Sequence, residues 1–327
     1  MINIKKISYY FFLVLFYYLF ITAIVYSFSF ISLINGKTYD LFWVKSIQKK
    51  IYFKGYRNIW QNNKNCSIFD GQLLYKPKIG SCEFTNPEFK TNLIFNEFFR
   101  EHDTILDKNI SKDYIVVLGD SIAMGWGVNN DETFSYHLEK KLKKKVYNMA
   151  VSSYGSVREI KKLKLSPFYE NSNTIIIQYH PNDLGENKEL DINKIYSMEE
   201  FQNKFDNSAS NIDIYKLILR TFKSSIRLFF SDINDKIFRE KNLELIDFSN
   251  DKKYLQKVLR ENVDLNKKRV IIVLPISPWQ KVINFPENSE RIEYILIKLN
   301  KSDFFIIDDH PNKLGHLKIA NILIDYL

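Results

Sequence analysis

The 327-residue chain predicts an α/β protein: a three-layer α/β/α sandwich on a five-stranded parallel sheet, preceded by an N-terminal transmembrane helix and a small irregular subdomain. Three observations carry this. From residue 114 onward, short β-branched runs alternate with longer stretches of helical spacing. Those short runs are apolar throughout, as strands buried on both faces of a parallel sheet require. Ahead of them, 30 uncharged and mostly aromatic or aliphatic residues separate Lys6 from Lys37. With 45% hydrophobic residues the chain can bury a core, and its length suits one sizeable domain plus extra segments.

Residues 7–34 exceed the roughly 20 apolar residues that a bilayer core needs. A cleaved signal peptide has a shorter apolar region, about 7 to 15 residues, and a small-residue cleavage site, so the expectation is an uncleaved single-pass anchor. Lys5 and Lys6 precede the span while Lys37, Lys45, Lys49 and Lys50 follow it, and the count alone does not put the following domain outside. Large domains, however, translocate largely regardless of charge.

Residues 38–112 are aromatic-rich and poorly periodic, and read as an irregular subdomain packed on the main one. They contain both cysteines of the chain, Cys66 and Cys82, which enclose 15 residues. A disulfide closing such a loop contributes about 3 kcal/mol in an oxidising compartment. The pair therefore predicts a periplasmic or extracellular domain behind the membrane anchor, the alternative being two unpaired structural cysteines.

Residues 113–327 form the sandwich. The expected strands are YIVVL (114–118), KVYN (145–148), TIIIQY (174–179), RVIIVL (269–274) and FFII (304–307), with helical patterns at 254–262, 290–299 and 314–326. Residues 183–246 exceed one crossover helix and should add helices beside the sheet. There is no internal repeat.

The formal charge is +9, yet the lysines are spread along the whole chain. The densest run, KKLKKK at 140–145, continues a helical pattern with Phe134, Leu138 and Leu142 on one side, which makes it a solvated face. No motif or basic stripe with interleaved aromatics accompanies it, so nucleic acid is excluded as a partner.

In open α/β sheets ligands bind beyond the carboxyl ends of the strands. There stand Gly119, Asp120 and Ser121; NMAVSSYG (148–155); HPND (180–183); residues 275–279; and DDHPN (308–312). A serine hydroxyl becomes a useful nucleophile only when a neighbouring base takes its proton, which pairs Ser121 with His310. The imidazole must be held by a carboxylate, Asp308 or Asp309. Side chains alternate in an extended segment, so Asp308 shares a face with His310 and is the expected acid, with Asp309 the alternative.

The blocks VVLGDSIAMGWGV, YNMAVSSYG, QYHPND and DDHPNKLGH, in that order over residues 113–327, resemble the SGNH or GDSL-like serine hydrolase superfamily, in its membrane-anchored esterase and O-acyltransferase-like branch. The resemblance implies five parallel strands in flavodoxin-like order. It also nominates three oxyanion donors: the Ser121 amide, an amide of the second block, and the Asn182 side chain. The family's usual glycine falls on Ser153 by spacing from Asn148, while Gly155 comes two residues later, and the choice between them stays open. Asp120 and Asp183 brace the turn in that family. Many members space acid and base as D-x-x-H, which would put the acid at Ile307; related polysaccharide acetyltransferases and esterases use D-x-H.

Blander roles compete for several of these residues. Serine is a favoured helix cap, and only position and company make Ser121 a nucleophile. His316 falls at the start of the last helix, where a structural role is expected. His180, Trp126 and Trp279 are candidates for the wall of a substrate pocket or for core packing. No histidine or carboxylate spacing fits a metal, and no cofactor is expected. The expected function is a serine esterase that removes or transfers acyl groups, acetyl foremost, on a cell-envelope glycan or lipid, with lipase and thioesterase activity in the same class. The alternative is a catalytically inactive SGNH-fold protein of envelope binding or assembly.

Overall fold

The computed structural model describes residues 4–102, 114–189, 191–205, 213–238, 243–289 and 291–327. The boundary expected near residue 112 lies outside the described residues. Helix α1 (Ile4–Ile34) is apolar on every side, and its Ser8–Ile34 portion is long and apolar enough to cross a membrane. Helix α2 (Phe42–Ile51) and one π turn (Tyr52–Tyr56) follow.

Two antiparallel hairpins then fill part of the segment read as irregular. Strand β1 (Ser67–Asp70) pairs with β2 (Leu74–Pro77), and β3 (Gly80–Asn86) pairs with β4 (Phe89–Phe95). Cys66, which leads into β1, is disulfide-bonded to Cys82 of β3 across a Cα separation of 5.1 Å, so the bridge ties one hairpin to the other.

The sandwich begins with β5 (Ile115–Gly119), α3 (Ser121–Met124), α4 (Phe134–Leu142) and β6 (Val146–Asn148). It continues through α5 (Ser156–Lys164), α6 (Phe168–Asn171), β7 (Thr174–Gln178), α7 (Leu184–Glu189), α8 (Met198–Phe205) and α9 (Ile214–Phe238). Strand β8 (Glu244–Asp247), α10 (Ser249–Asn262), β9 (Arg269–Ile276), β10 (Gln280–Ile283), β11 (Ile292–Lys298) and α11 (Lys313–Ile324) complete it. Five strands form the parallel central sheet in the order β11-β9-β7-β5-β6, the flavodoxin-like arrangement. Strands β8 and β10 make a small parallel pair of their own.

Alternation along β5 shows why every position is apolar. Ile115 and Val117 join a core with Ile122 and Met124 of α3, Phe134 and Leu138 of α4, and Ile319 and Leu323 of α11. Val116 and Leu118 face the opposite layer, with Val157 and Ile160 of α5 and Leu255 and Val258 of α10. Helices therefore cover both faces of the sheet.

The fifth strand is not the expected one. Residues 292–298 (IEYILIK) form β11, where a helix was expected over 290–299, and 304–307 run through a loop. Residue 290 itself lies outside the described residues. Ile292, Ile295, Leu296 and Leu299 satisfy helical spacing, but the same run is rich in β-branched and aromatic side chains, and a short apolar stretch cannot be told apart by periodicity. Pairing along the full length of β11 with β9 decides it.

A second difference concerns α9. Helices α7 and α10 pack together over the sheet, whereas α9 lies along α1 and α2 instead of beside the sheet. The Tyr26 hydroxyl and Thr221 Oγ1 are 2.6 Å apart, and Leu217 is buried with Tyr26, Leu33 and Ile51. That cluster extends to Ile307, so the apolar helices touch the loop that carries His310.

Replacing both Cys66 and Cys82 by alanine should lower the unfolding free energy by about 3 kcal/mol, the cost expected for opening a loop of this size. Thermal melts under non-reducing conditions measure it, and an unchanged midpoint would mean that the bridge adds nothing.

Candidate active site

The nucleophile turn is built by steric exclusion and one carboxylate. Gly119 ends β5 at φ 144°, and a Cβ there would lie 2.6 Å from the Ala123 Cβ and 2.9 Å from that of Gln178, so only glycine lets the chain turn here. Asp120 accepts a hydrogen bond from the Ile122 amide at 2.9 Å and caps α3, which places Ser121 first in the helix at the carboxyl edge of the sheet. Asn148, the last residue of β6, donates to the Ala123 carbonyl at 2.9 Å and to Ser135 Oγ at 3.0 Å. It braces the turn from behind.

His310 arrives on a loop with no strand to shape it. Glu88, in the turn between β3 and β4, accepts the backbone amides of Ile306 at 2.6 Å, Ile307 at 2.9 Å and Asp308 at 2.8 Å. Burial pushes the Glu88 carboxyl up against the pull of these donors. Asn312 adds a bond from its Nδ2 to the Phe304 carbonyl at 2.8 Å. Held this way, the loop brings His310 Nε2 to 2.7 Å from Ser121 Oγ. His310 Nδ1 stands 2.5 Å from Asp308 Oδ1, which also accepts the His310 amide at 3.1 Å.

Asp308 and Asp309 point apart, although residues 306–310 run through bends and not an extended strand. Asp309 turns outward and pairs with Lys49 at 2.5 Å, its side chain 54% exposed. Asp308 is buried, and its Oδ2 accepts the Tyr52 hydroxyl at 2.5 Å and Trp126 Nε1 at 3.2 Å, with Arg57 Nε at 3.5 Å. Burial acts to raise its carboxyl, but His310, Arg57 and Tyr52 outweigh that and hold it well below the usual carboxylate range. Burial, and then the Asp308 carboxylate, push the Tyr52 hydroxyl far up. Trp126 also stacks on His310, with ring centres 4.9 Å apart at 18°.

A cleft of about 530 Å³ opens over Ser121 and His310. Ser153 and Asn182 line it, whereas Gly155 does not. Ser153 adopts φ 62°, a left-handed conformation that favours glycine, and Gln61 Nε2 donates to its Oγ at 2.7 Å. Neither the Ser121 nor the Ser153 amide donates to another group among the described residues. The Gly155 amide is instead committed to Glu186 Oε2 at 3.3 Å.

The remaining candidates divide between wall and scaffold. Asp183 is buried, accepts from Ser156 Oγ at 3.4 Å, and is pushed well up by burial and by the Asp120 charge. His180 and Trp279 line the cleft, Trp279 being 40% exposed. His316 is buried against Phe134 and accepts that residue's amide at 3.2 Å; burial, then nearby positive groups, push it down to about 3, which keeps it neutral. Tyr52, Arg57, Gln61 and Glu88 were not legible as site residues. All four come from the poorly periodic segment, where only the cysteine pair hinted at a fixed structure.

No family model and no curated protein matches the chain. Among solved structures, it is similar to a protein described as lipolytic and of the G-D-S-L family from Desulfitobacterium hafniense DCB-2, at 11% identity, 66% of this chain, all of that one and a TM-score of 0.36. It is also similar to a carbohydrate esterase whose active site is described as having divergent catalytic and non-catalytic binding functions, at 16% identity, 68% of this chain, 66% of that one and a TM-score of 0.33. A third is a carbohydrate esterase family 2 enzyme with a carbohydrate binding domain from Corynascus thermopiles (Myceliophthora fergusii), at 12% identity, 74% of this chain, 73% of that one and a TM-score of 0.32. Likenesses at these TM-scores carry no argument, and the functional reading rests on the geometry of the site.

Glu88→Ala would leave three amides of the His310 loop without their acceptor. Hydrogen exchange at residues 306–308 should then rise by tenfold or more, corresponding to about 1.4 kcal/mol of lost protection. Unchanged exchange there would mean that the carboxylate does not hold the loop.

Proposed function

We propose that the chain is a serine acyl esterase of the SGNH kind that works through an acyl-enzyme on Ser121. The single observation that carries this reading is the continuous contact from Ser121 Oγ through His310 to Asp308, at 2.7 and 2.5 Å. In this mechanism Ser121 Oγ adds to the ester carbonyl carbon as His310 Nε2 takes its proton. Asp308 stabilises the imidazolium without being protonated itself. Charge that develops on the carbonyl oxygen meets the Ser121 and Ser153 amides and the Asn182 side chain, each such donor being worth about 3 to 4 kcal/mol.

Collapse of the adduct breaks the bond to the alcohol oxygen, which leaves with the proton that His310 took from Ser121, and the acyl group stays on Ser121. Water or a sugar hydroxyl then attacks that ester with His310 again as base, so hydrolysis and transfer use the same groups. A cell-envelope glycan or lipid as substrate is supported by the exposed Trp279 ring in the cleft beside Gln280, Glu244 and His180, a flat apolar face rimmed by polar groups. The disulfide favours an oxidising compartment, and α1 would hold the protein at the membrane. In this reading residues 7–34 anchor, residues 113–327 are the hydrolase domain, and residues 38–112 complete its site.

Ser121→Ala in the full-length protein in detergent should cut turnover of p-nitrophenyl acetate on the order of 10³-fold or more. Undiminished turnover would overturn the nucleophile. A fluorophosphonate probe should label the folded wild type at Ser121, and absence of labelling would favour the binding or assembly protein.

A further inference from the structure

Asp308 has a fixed cation beside it as well as the imidazole it holds. Arg57, just after the π turn, lays its guanidinium 4.7 Å over the Trp126 ring, with its side chain only 21% exposed. Its Nε lies 3.5 Å from Asp308 Oδ2 and its Nη2 lies 3.4 Å from His310 Nδ1. One carboxylate therefore serves the imidazole through Oδ1 and the guanidinium beside Oδ2.

We propose that Arg57 is a positioning and charge-setting residue of the Ser121 site, which compensates Asp308 so that the resting imidazole stays neutral and aimed at the serine. The inference rests on the reading of Ser121 as nucleophile. An imidazole can accept the serine proton only while it is neutral. A buried carboxylate with no other partner favours the imidazolium, and a fixed cation beside both groups opposes that.

The other charged or titratable groups around His310 do not duplicate this. Asp309 and Lys49 neutralise each other at the surface. The Tyr52 hydroxyl is uncharged, and Glu88 sits behind the loop with its oxygens engaged by amides. His316, in α11, is neutral, and Asp120, His180 and Glu244 face the cleft from other elements. Arg57 is the fixed cation in contact with the ring.

The test compares full-length wild type, Arg57→Gln, Arg57→Lys and Ser121→Ala in detergent, by the pH dependence of kcat/KM for p-nitrophenyl acetate between pH 5 and pH 9. Arg57→Gln should move the acidic limb upward by about one pH unit, with roughly tenfold loss at the acidic end and much less at pH 8.5. Arg57→Lys should keep the limb in place while kcat falls severalfold. A limb unmoved in Arg57→Gln, whether activity is retained or lost equally at every pH, overturns the proposal. If Arg57→Gln does not fold, Arg57→Lys decides: a limb displaced by a full unit despite the retained charge overturns it. Activity surviving in Ser121→Ala would instead sink the nucleophile reading.

Discussion

A single buried charge sets the terms for the rest of the site. Removing the Asp308 carboxylate from water is costly, and it persists only because polar hydrogens converge on both its oxygens. Those hydrogens come from Tyr52, Trp126 and His310, with the Arg57 guanidinium alongside. Their positions span more than 250 residues, so satisfying one carboxylate requires the segment after α1, the Ser121 turn and the last loop to meet. The segment before the sandwich is thereby part of the candidate site and not merely a spacer.

The same economy holds the loop that carries His310. It has no strand ladder to satisfy its amides, and a buried backbone donor without an acceptor costs about 1 to 3 kcal/mol. Glu88 supplies acceptors for three of them from the tip of a hairpin. That hairpin is tied to its neighbour by the Cys66–Cys82 bridge, so the covalent link lies two steps from the base. Charge compensation at Asp308 and amide satisfaction at Glu88 act on adjacent backbone, and together they fix the imidazole in two directions.

Packing extends this arrangement towards α1. Tyr52 and Ile307, which flank the acid from opposite segments, belong to one apolar cluster with Tyr26 and Leu33 of α1, Ile51 of α2 and Leu217 of α9. The apolar helix is therefore continuous, through close-packed side chains, with the backbone of the His310 loop.

The sequence by itself determined β5, β7 and β9, because strands buried on both faces leave an apolar signature, and it singled out Ser121, because the residues after such strands are few, with His310 as the imidazole that could serve it. It also singled out Asp308 over Asp309 by alternation, although residues 306–310 run through bends in which Asp308 Oδ1 accepts the amide of His310 two residues on. Only the tertiary structure distinguishes Ser153 from Gly155, engaging the Gly155 amide with Glu186 and placing Ser153 at the cleft. It likewise decided the fifth strand, where IEYILIK suits helix or strand and pairing with β9 selects one. Tyr52, Arg57 and Glu88 belong to the same class. Their roles arise from what they touch across the fold, and a lone polar residue in an aperiodic stretch leaves no local trace of a partner hundreds of positions away.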